Sequence, residues 1–354
     1  MTRDIEGYWS SCALAHWTGN CWWVDDSSQI PTIVVKTDQL VSDIARSTGD
    51  QFRVQKDRQG SESVKPTVLG QRILDWAQRF DVAMVCRHLN RHSFSPYFDL
   101  LKAFRDESGM LSSGVPPPAL VPQANQWVDS VRAQSRDPLF IKAVESREAG
   151  AKKNEKSARQ YVGALLRRYS TLMVASLDIG YHHDPLRAGP NWALFSDDQV
   201  NVHLKQLRSF IRGKLPGIVG LVWRIAYSAV RGHYCHLMLF FDGCLAFDRS
   251  RSGPLVAEQW AALTRAYGTC WNWNAVEPSR QRHVTGTISV FDEDACRRLV
   301  QEAMFLARLD YYARFESITI KRTFGKGEIT GKLVLREPPR KAVKLRITRA
   351  MASV

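Results

Sequence analysis

The run HYCHLMLFFDG, residues 233–243, constrains the fold most. Its apolar part is far shorter than the ~18 residues that a membrane helix requires, and Asp242-Gly243 closes it as a turn. In a strand, alternate side chains face the same way. Tyr234, His236, Met238 and Phe240 then share one face, while His233, Cys235, Leu237, Leu239 and Phe241 share the other. A core β-strand is predicted, with a histidine on each face near its start. Two histidines three apart meet at one metal ion only if a bulge re-aims His233; otherwise ordinary hydrogen bonds satisfy them.

The elements around this strand follow from periodicity. SARQYVGALLRRY (157–169) has helical spacing, and STLMVASLDIGY (170–181) reads as a strand. Residues 195–213 form a helix capped by Ser196 with acids in its first turn and Gly213 as its stop. Residues 217–230 and 234–243 are neighbouring strands joined at Arg231-Gly232, 254–268 is helical, 285–292 is a strand, and 292–315 is a long helix capped by Asp292. The succession helix, then β-α-β-β-α-β-α, predicts an α+β domain over 151–335, with an antiparallel sheet covered by helices on one face.

The first 150 residues are expected to be a mainly helical accessory region, with helices over 68–89 and 95–104. RQGSESVKPT (58–67) reads as a flexible connector, and REAGAKKNEKSARQ (147–160) as a charged approach to the next domain. Residues 336–354 form a basic tail.

The 354 residues carry 49 Lys and Arg against 35 Asp and Glu, a net charge of +14. Such an excess favours a polyanionic partner, because neutralised phosphates release counterions. From Lys321 to the C-terminus there are ten cations and two acids, and the turn RTFGKG combines glycines with Arg322 and Lys326. Seven cysteines lie apart with no Cys-x-x-Cys pair, so neither a zinc ribbon nor a disulfide framework is indicated. The N-terminus MTRDIEGYWSS lacks the apolar run of a signal peptide. A cytoplasmic protein with no membrane partner is expected.

Three stretches together, YVGALLRRYSTLMVASLDIGY, RIAYSAVRGHYCHLMLFFDG and AMFLARLDYYARFESITIKRTFGKG, are similar to a known pattern. Over about residues 157–335 the chain resembles the C-terminal domain of inovirus gene-two-like replication proteins, the YagK/YfjJ type. That resemblance implies a rolling-circle replication initiator of the HUH endonuclease superfamily, as used by phages and plasmids. The fold would be the Rep-like (RRM-like) βαββαβ sheet. A His-hydrophobic-His strand would hold Mg²⁺ or Mn²⁺, and a tyrosine would nick single-stranded or hairpin origin DNA, forming a 5′-phosphotyrosine. The freed 3′-OH would serve a host polymerase behind a host helicase.

Carried over by position, the resemblance implies His236 as a metal ligand, with Asp178 as a third ligand or substrate contact. It gives Tyr312 as the nucleophile beside Tyr311 and Arg308, and Tyr234, Lys321, Arg322 and Lys326 as DNA contacts. Three positions depart from the pattern. Tyr234 stands where the first motif histidine belongs, so His233 would have to be recruited. Phe305 replaces a tyrosine seven residues before Tyr312, and Arg308 replaces a lysine. His182 and His183 are further ligand candidates. The alternative is a non-catalytic DNA-binding module or regulator on the same scaffold.

Overall fold

The computed structural model describes residues 16–17, 22–23, 29–104, 109–181, 195–229, 231–244, 252–275 and 283–329. His182, His183 and the basic tail 336–354 lie outside the described residues.

The N-terminal region contains the helices α1 (Ile30–Arg46), α2 (Val68–Arg79), α3 (Val82–His88), α4 (Pro96–Ala103) and α5 (Val121–Ser135). It also contains a hairpin of β1 (Phe52–Lys56) and β2 (Glu62–Pro66), and a short strand β3 (His92–Phe94). The hairpin replaces the flexible connector expected over 58–67. Its turn is organised locally: the Asp57 carboxylate accepts from the backbone N–H of Gln59 and Ser61, and Gly60 takes a φ of +81°. The charged segment 147–160 is likewise no connector. It lies inside α6 (Pro138–Arg168), one 31-residue helix running from the accessory region onto the sheet. Its scattered charges concealed a narrow buried stripe of Ala151, Ala158, Val162 and Leu165.

After α6 come β4 (Thr171–Tyr181), α7 (Asp197–Lys214), β5 (Ile218–Ser228), β6 (Gly232–Asp242), α8 (Ser252–Leu263), β7 (Gly268–Asn272), β8 (Gly286–Ser289), α9 (Glu293–Tyr312), β9 (Ala313–Phe315) and β10 (Phe324–Lys326). The sheet order is β8-β4-β6-β5-β10, antiparallel throughout, with β7 extending the β4 edge beyond β8. Both expected caps form. Ser196 and Gln199 make a reciprocal capping box on α7, and Asp292 accepts from the Ala295 N–H on α9.

Helices cover both faces of the sheet, not one. Leu172, Val174, Val222, Met238 and Phe240 pack in one cluster with α6, α9 and the N-terminal helices. Met173, Leu177, Trp223, Leu237 and Phe241 pack under α7 and α8. The reason is legible in β6, where both alternating sets are apolar; an exposed face would need polar side chains at every second position. Phe240 and Phe241 point opposite ways, and each is fully buried, contributing about 2–3 kcal/mol.

The N-terminal region is tied to the end of α9. Strand β9 pairs with β3, the Ser95 N–H donates to the Tyr312 carbonyl, and Arg147 donates to the carbonyls of Ser93 and Tyr311.

Candidate metal centre

Strand register sets a row of side chains across the sheet face beneath α9: Arg224 on β5, His236 on β6, Asp178 on β4 and Trp271 on β7. His236 Nδ1 lies 2.6 Å from Asp178 Oδ1, and both side chains are buried. Burial opposes ionisation of Asp178. The His236 imidazole, its hydrogen bond and the Arg231 guanidinium, 3.8 Å away, outweigh that and hold the carboxyl below its ordinary range. A carboxylate behind a histidine fixes the ring's orientation and leaves the other ring nitrogen as the ligand atom.

Two residues join His236 that sequence reasoning did not single out. The His283 ring stacks on His236 with centroids 5.0 Å apart and packs on Trp273 at 4.6 Å. Its Nδ1 lies 2.7 Å from Glu302 Oε1, and Glu302 Oε2 accepts from the Val284 N–H at 2.6 Å. One donor atom each from His236, His283 and Glu302 falls within 4.8 Å of the others, a set that could chelate a metal ion. All three residues are buried. Two imidazoles and one carboxylate fit a divalent transition ion better than Mg²⁺, which prefers oxygen ligands. A signal for Glu302 did exist: it is an acid at a buried position of α9, one turn from Leu299 and Leu306. His283 gave no such signal, because it precedes its strand and reaches the site only through the tertiary fold.

His233 is not brought to this centre. Its Nε2 lies 2.8 Å from Asp197 Oδ1 at the start of α7, on the other face of the sheet. β6 has no bulge at this point, so the alternation that separates the two histidines stands. Asp197 also accepts from Arg91 at 2.6 Å and from Ser317 at 2.5 Å. Burial pulls the His233 pKa down, partly offset by Asp197. His233 thus locks the start of β6 to α7 and to Arg91. Tyr234 shares the His236 face, half-buried, with the Arg231 guanidinium 4.3 Å from its ring centroid.

Arg308, Tyr311 and Tyr312 come together in a different place. Arg308 donates to Glu148 at 2.9 Å and to Glu155 at 3.2 Å, and it sits 4.2 Å over the Tyr311 ring. The Tyr311 hydroxyl donates to Asp38 at 3.4 Å. These groups line an open cavity of about 600 Å³ with Asp38, Asp43 and Arg46 of α1 and Tyr97 of α4. At about 100° per residue, Tyr311 lies half a helix circumference from Glu302, and Tyr312 about 15 Å along the axis. Burial and the nearby Asp38 carboxylate push the Tyr312 phenol up to about 12 and raise Tyr311 too. Both phenols sit against carboxylates that oppose a phenolate. Phe305, one turn beyond Glu302, is buried in the core.

The basic turn is held by aromatic surfaces. Gly325 lies flat on Trp223, where a Cβ would come within 2.3 Å of the indole, and a Cβ on Gly327 would meet the Tyr161 hydroxyl at 2.7 Å. Packing therefore explains both glycines. Lys321 and Arg322 are exposed, and Lys326 Nζ lies 4.9 Å from the Tyr161 ring centroid. Among the described residues, no helix is long and apolar enough to cross a membrane.

No family profile, curated protein or solved structure matches this chain.

Proposed function

We propose that this chain is a metal-dependent protein that binds and nicks single-stranded or hairpin origin DNA, in the manner of a rolling-circle replication initiator. One observation carries the proposal. The middle strand of the β8-β4-β6-β5-β10 antiparallel sheet presents His236, backed by Asp178, to a cluster with His283 and Glu302. That strand order is compatible with the RRM-like sheet of HUH nucleases.

A divalent ion held by His236, His283 and Glu302 would supply Lewis-acid polarisation of a phosphodiester oxygen. The remaining work belongs to side chains. Asp178 orients His236. Arg231, between Asp178 and the Tyr234 ring, offers a guanidinium to a phosphate oxygen. Tyr234 is the named phenol sharing a strand face with His236, and the attack is assigned to it in place of Tyr312. Its oxygen would bond to phosphorus as the bond to the 3′ oxygen breaks, and its proton would pass through solvent to the departing oxygen, leaving a 5′-phosphotyrosine and a free 3′-OH.

A non-catalytic DNA-binding module is the second reading. Phe305 favours it, because it stands near Glu302 where the resemblance implies a tyrosine. One experiment separates the two. The chain is incubated with labelled single-stranded oligonucleotide and Mn²⁺, run on a denaturing gel, and any adduct is mapped by peptide mass spectrometry. An adduct on Tyr234 supports the nickase. Salt-sensitive binding without cleavage in any divalent ion supports the module, and an adduct on Tyr311 or Tyr312 removes the assignment to Tyr234.

A further inference from the structure

On α7, Lys205, Arg208 and Arg212 stand at i, i+3 and i+7, forming one stripe about 10 Å long. Lys205 and Arg212 are exposed and Arg208 is half-buried. With Ser209 and Gly213 they line an open cavity of about 450 Å³. Arg208 rests 4.3 Å from the Trp223 ring centroid, and Arg322, from the chain entering β10, approaches the same ring at 5.9 Å. Lys326 extends the cations round this sheet edge to the opposite face, over Tyr161.

Among the described residues, none of Lys205, Arg208, Arg212, Arg322 and Lys326 forms a salt bridge. Four other buried or partly buried arginines, Arg91, Arg132, Arg224 and Arg308, each have a carboxylate. Burial and the neighbouring Arg212 and Arg322 charges hold the Arg208 pKa below its usual value. Like charges gathered on one aromatic platform repel, and an anion laid between them removes that repulsion.

We propose that Lys205, Arg208, Arg212 and Arg322, continued by Lys326 across the β10 edge, form a track for the phosphodiester backbone of a single strand. The α7 stripe is linear and the cations continue past its end, which suits an extended polyanion better than an isolated phosphate. Its guanidiniums are planar forks that meet phosphate oxygens in pairs, and Trp223 orients two of them in advance. A membrane surface fits less well, because Val202 is the one large apolar side chain exposed on α7. The inference rests on the nucleic-acid reading above. It adds that the strand is gripped at the β10 edge, two strands across the sheet from His236.

The test uses the full chain and fluorescein-labelled oligothymidylate, with the dissociation constant measured by anisotropy across a salt series. The variant Lys205→Gln/Arg212→Gln/Arg322→Gln leaves Arg208 on Trp223, so the fold is kept; a second variant adds Arg208→Gln. A control neutralises the exposed Arg53, Lys65 and Lys142 instead. Each track cation removed is expected to lower the slope of log affinity against log salt by about 0.7. The triple variant should therefore lose about two units of slope and at least tenfold in affinity at low salt, with the control near wild type. Equal losses in track and control variants overturn the track and leave general DNA binding intact. A wild-type chain that binds no strand at low salt overturns both this inference and the function it rests on. Unchanged DNA affinity with lost binding to phosphatidylglycerol vesicles assigns the row to a membrane and overturns the track.

Discussion

Asp178 and His236 lie directly opposite each other in adjacent antiparallel strands, with 2.6 Å between carboxylate and imidazole. A register slip of one residue between the strands would put the two side chains on opposite faces, one of them in the packing under α7 and α8. Such a slip would leave a buried carboxylate or imidazole among apolar side chains without its partner, so it is disfavoured and the pair is held in place.

Asp178→Asn should weaken binding of a divalent transition ion by about 10- to 100-fold, since the histidine loses the group that orients it. Glu302→Gln removes a donor itself and should cost more. Calorimetric titration of the metal-stripped chain with Mn²⁺ or Zn²⁺ measures both. Wild-type affinity in Glu302→Gln would show that these residues form only a buried hydrogen-bond network.

Tyr312→Phe and Tyr311→Phe should leave any covalent DNA adduct intact, because both phenols sit in the cavity with Asp38 and Glu148. Tyr234→Phe should abolish the adduct while keeping DNA affinity within a few fold. Gel quantification across the three variants decides the assignment.

The end of α9 is anchored by a buried pair, Arg224 and Asp310, 3.2 Å apart, with Thr323 donating to the same carboxylate. Arg224→Met leaves that carboxylate without its countercharge, and a loss of about 3–5 kcal/mol is expected. Arg224→Met/Asp310→Leu should recover much of it. Urea melts of both variants test the coupling; additive losses would mean the pair is not coupled.

Gly325→Ala places a methyl group where the Trp223 indole lies. A destabilisation of about 1–3 kcal/mol follows from overpacking, and Trp223→Leu in the same chain should relieve part of it. If the double variant is no more stable than Gly325→Ala alone, the close approach is not the cause.

Burial raises the Asp38 carboxyl to about 6, against hydrogen bonds from Ser95 and Tyr311 and the charge of Arg308. The folded pKa exceeds the unfolded one, so between about pH 4 and 6 the native state keeps a proton that the unfolded chain has released. Stability from this group is fully present below that window and is lost as pH rises through it. Asp38→Asn should therefore gain ~2 kcal/mol relative to wild type on going from pH 4 to pH 7. Parallel denaturation curves at the two pH values for both proteins would exclude the shift.

Several elements were legible because their signals are local. Ser196 and Asp292 marked helix starts through hydrogen bonds to nearby N–H groups, and the apolar runs at 170–181, 217–230 and 234–243 marked the three long strands. Strand β7 was missed, because GTCWN carries little periodicity and earns its place by pairing with Leu177–Tyr181. The hairpin at 52–66 was missed because its polar composition hides backbone pairing that side chains do not advertise.

The amino-acid order alone fixed that β6 is a core strand, and alternation already put His233 and His236 on opposite sides of it. Only the folded chain brought His283 and Glu302 to His236 and turned Tyr311 and Tyr312 toward Asp38. Which faces meet across a sheet or around a helix depends on long-range packing of α6, α9 and the N-terminal helices. No local spacing along the chain encodes that choice.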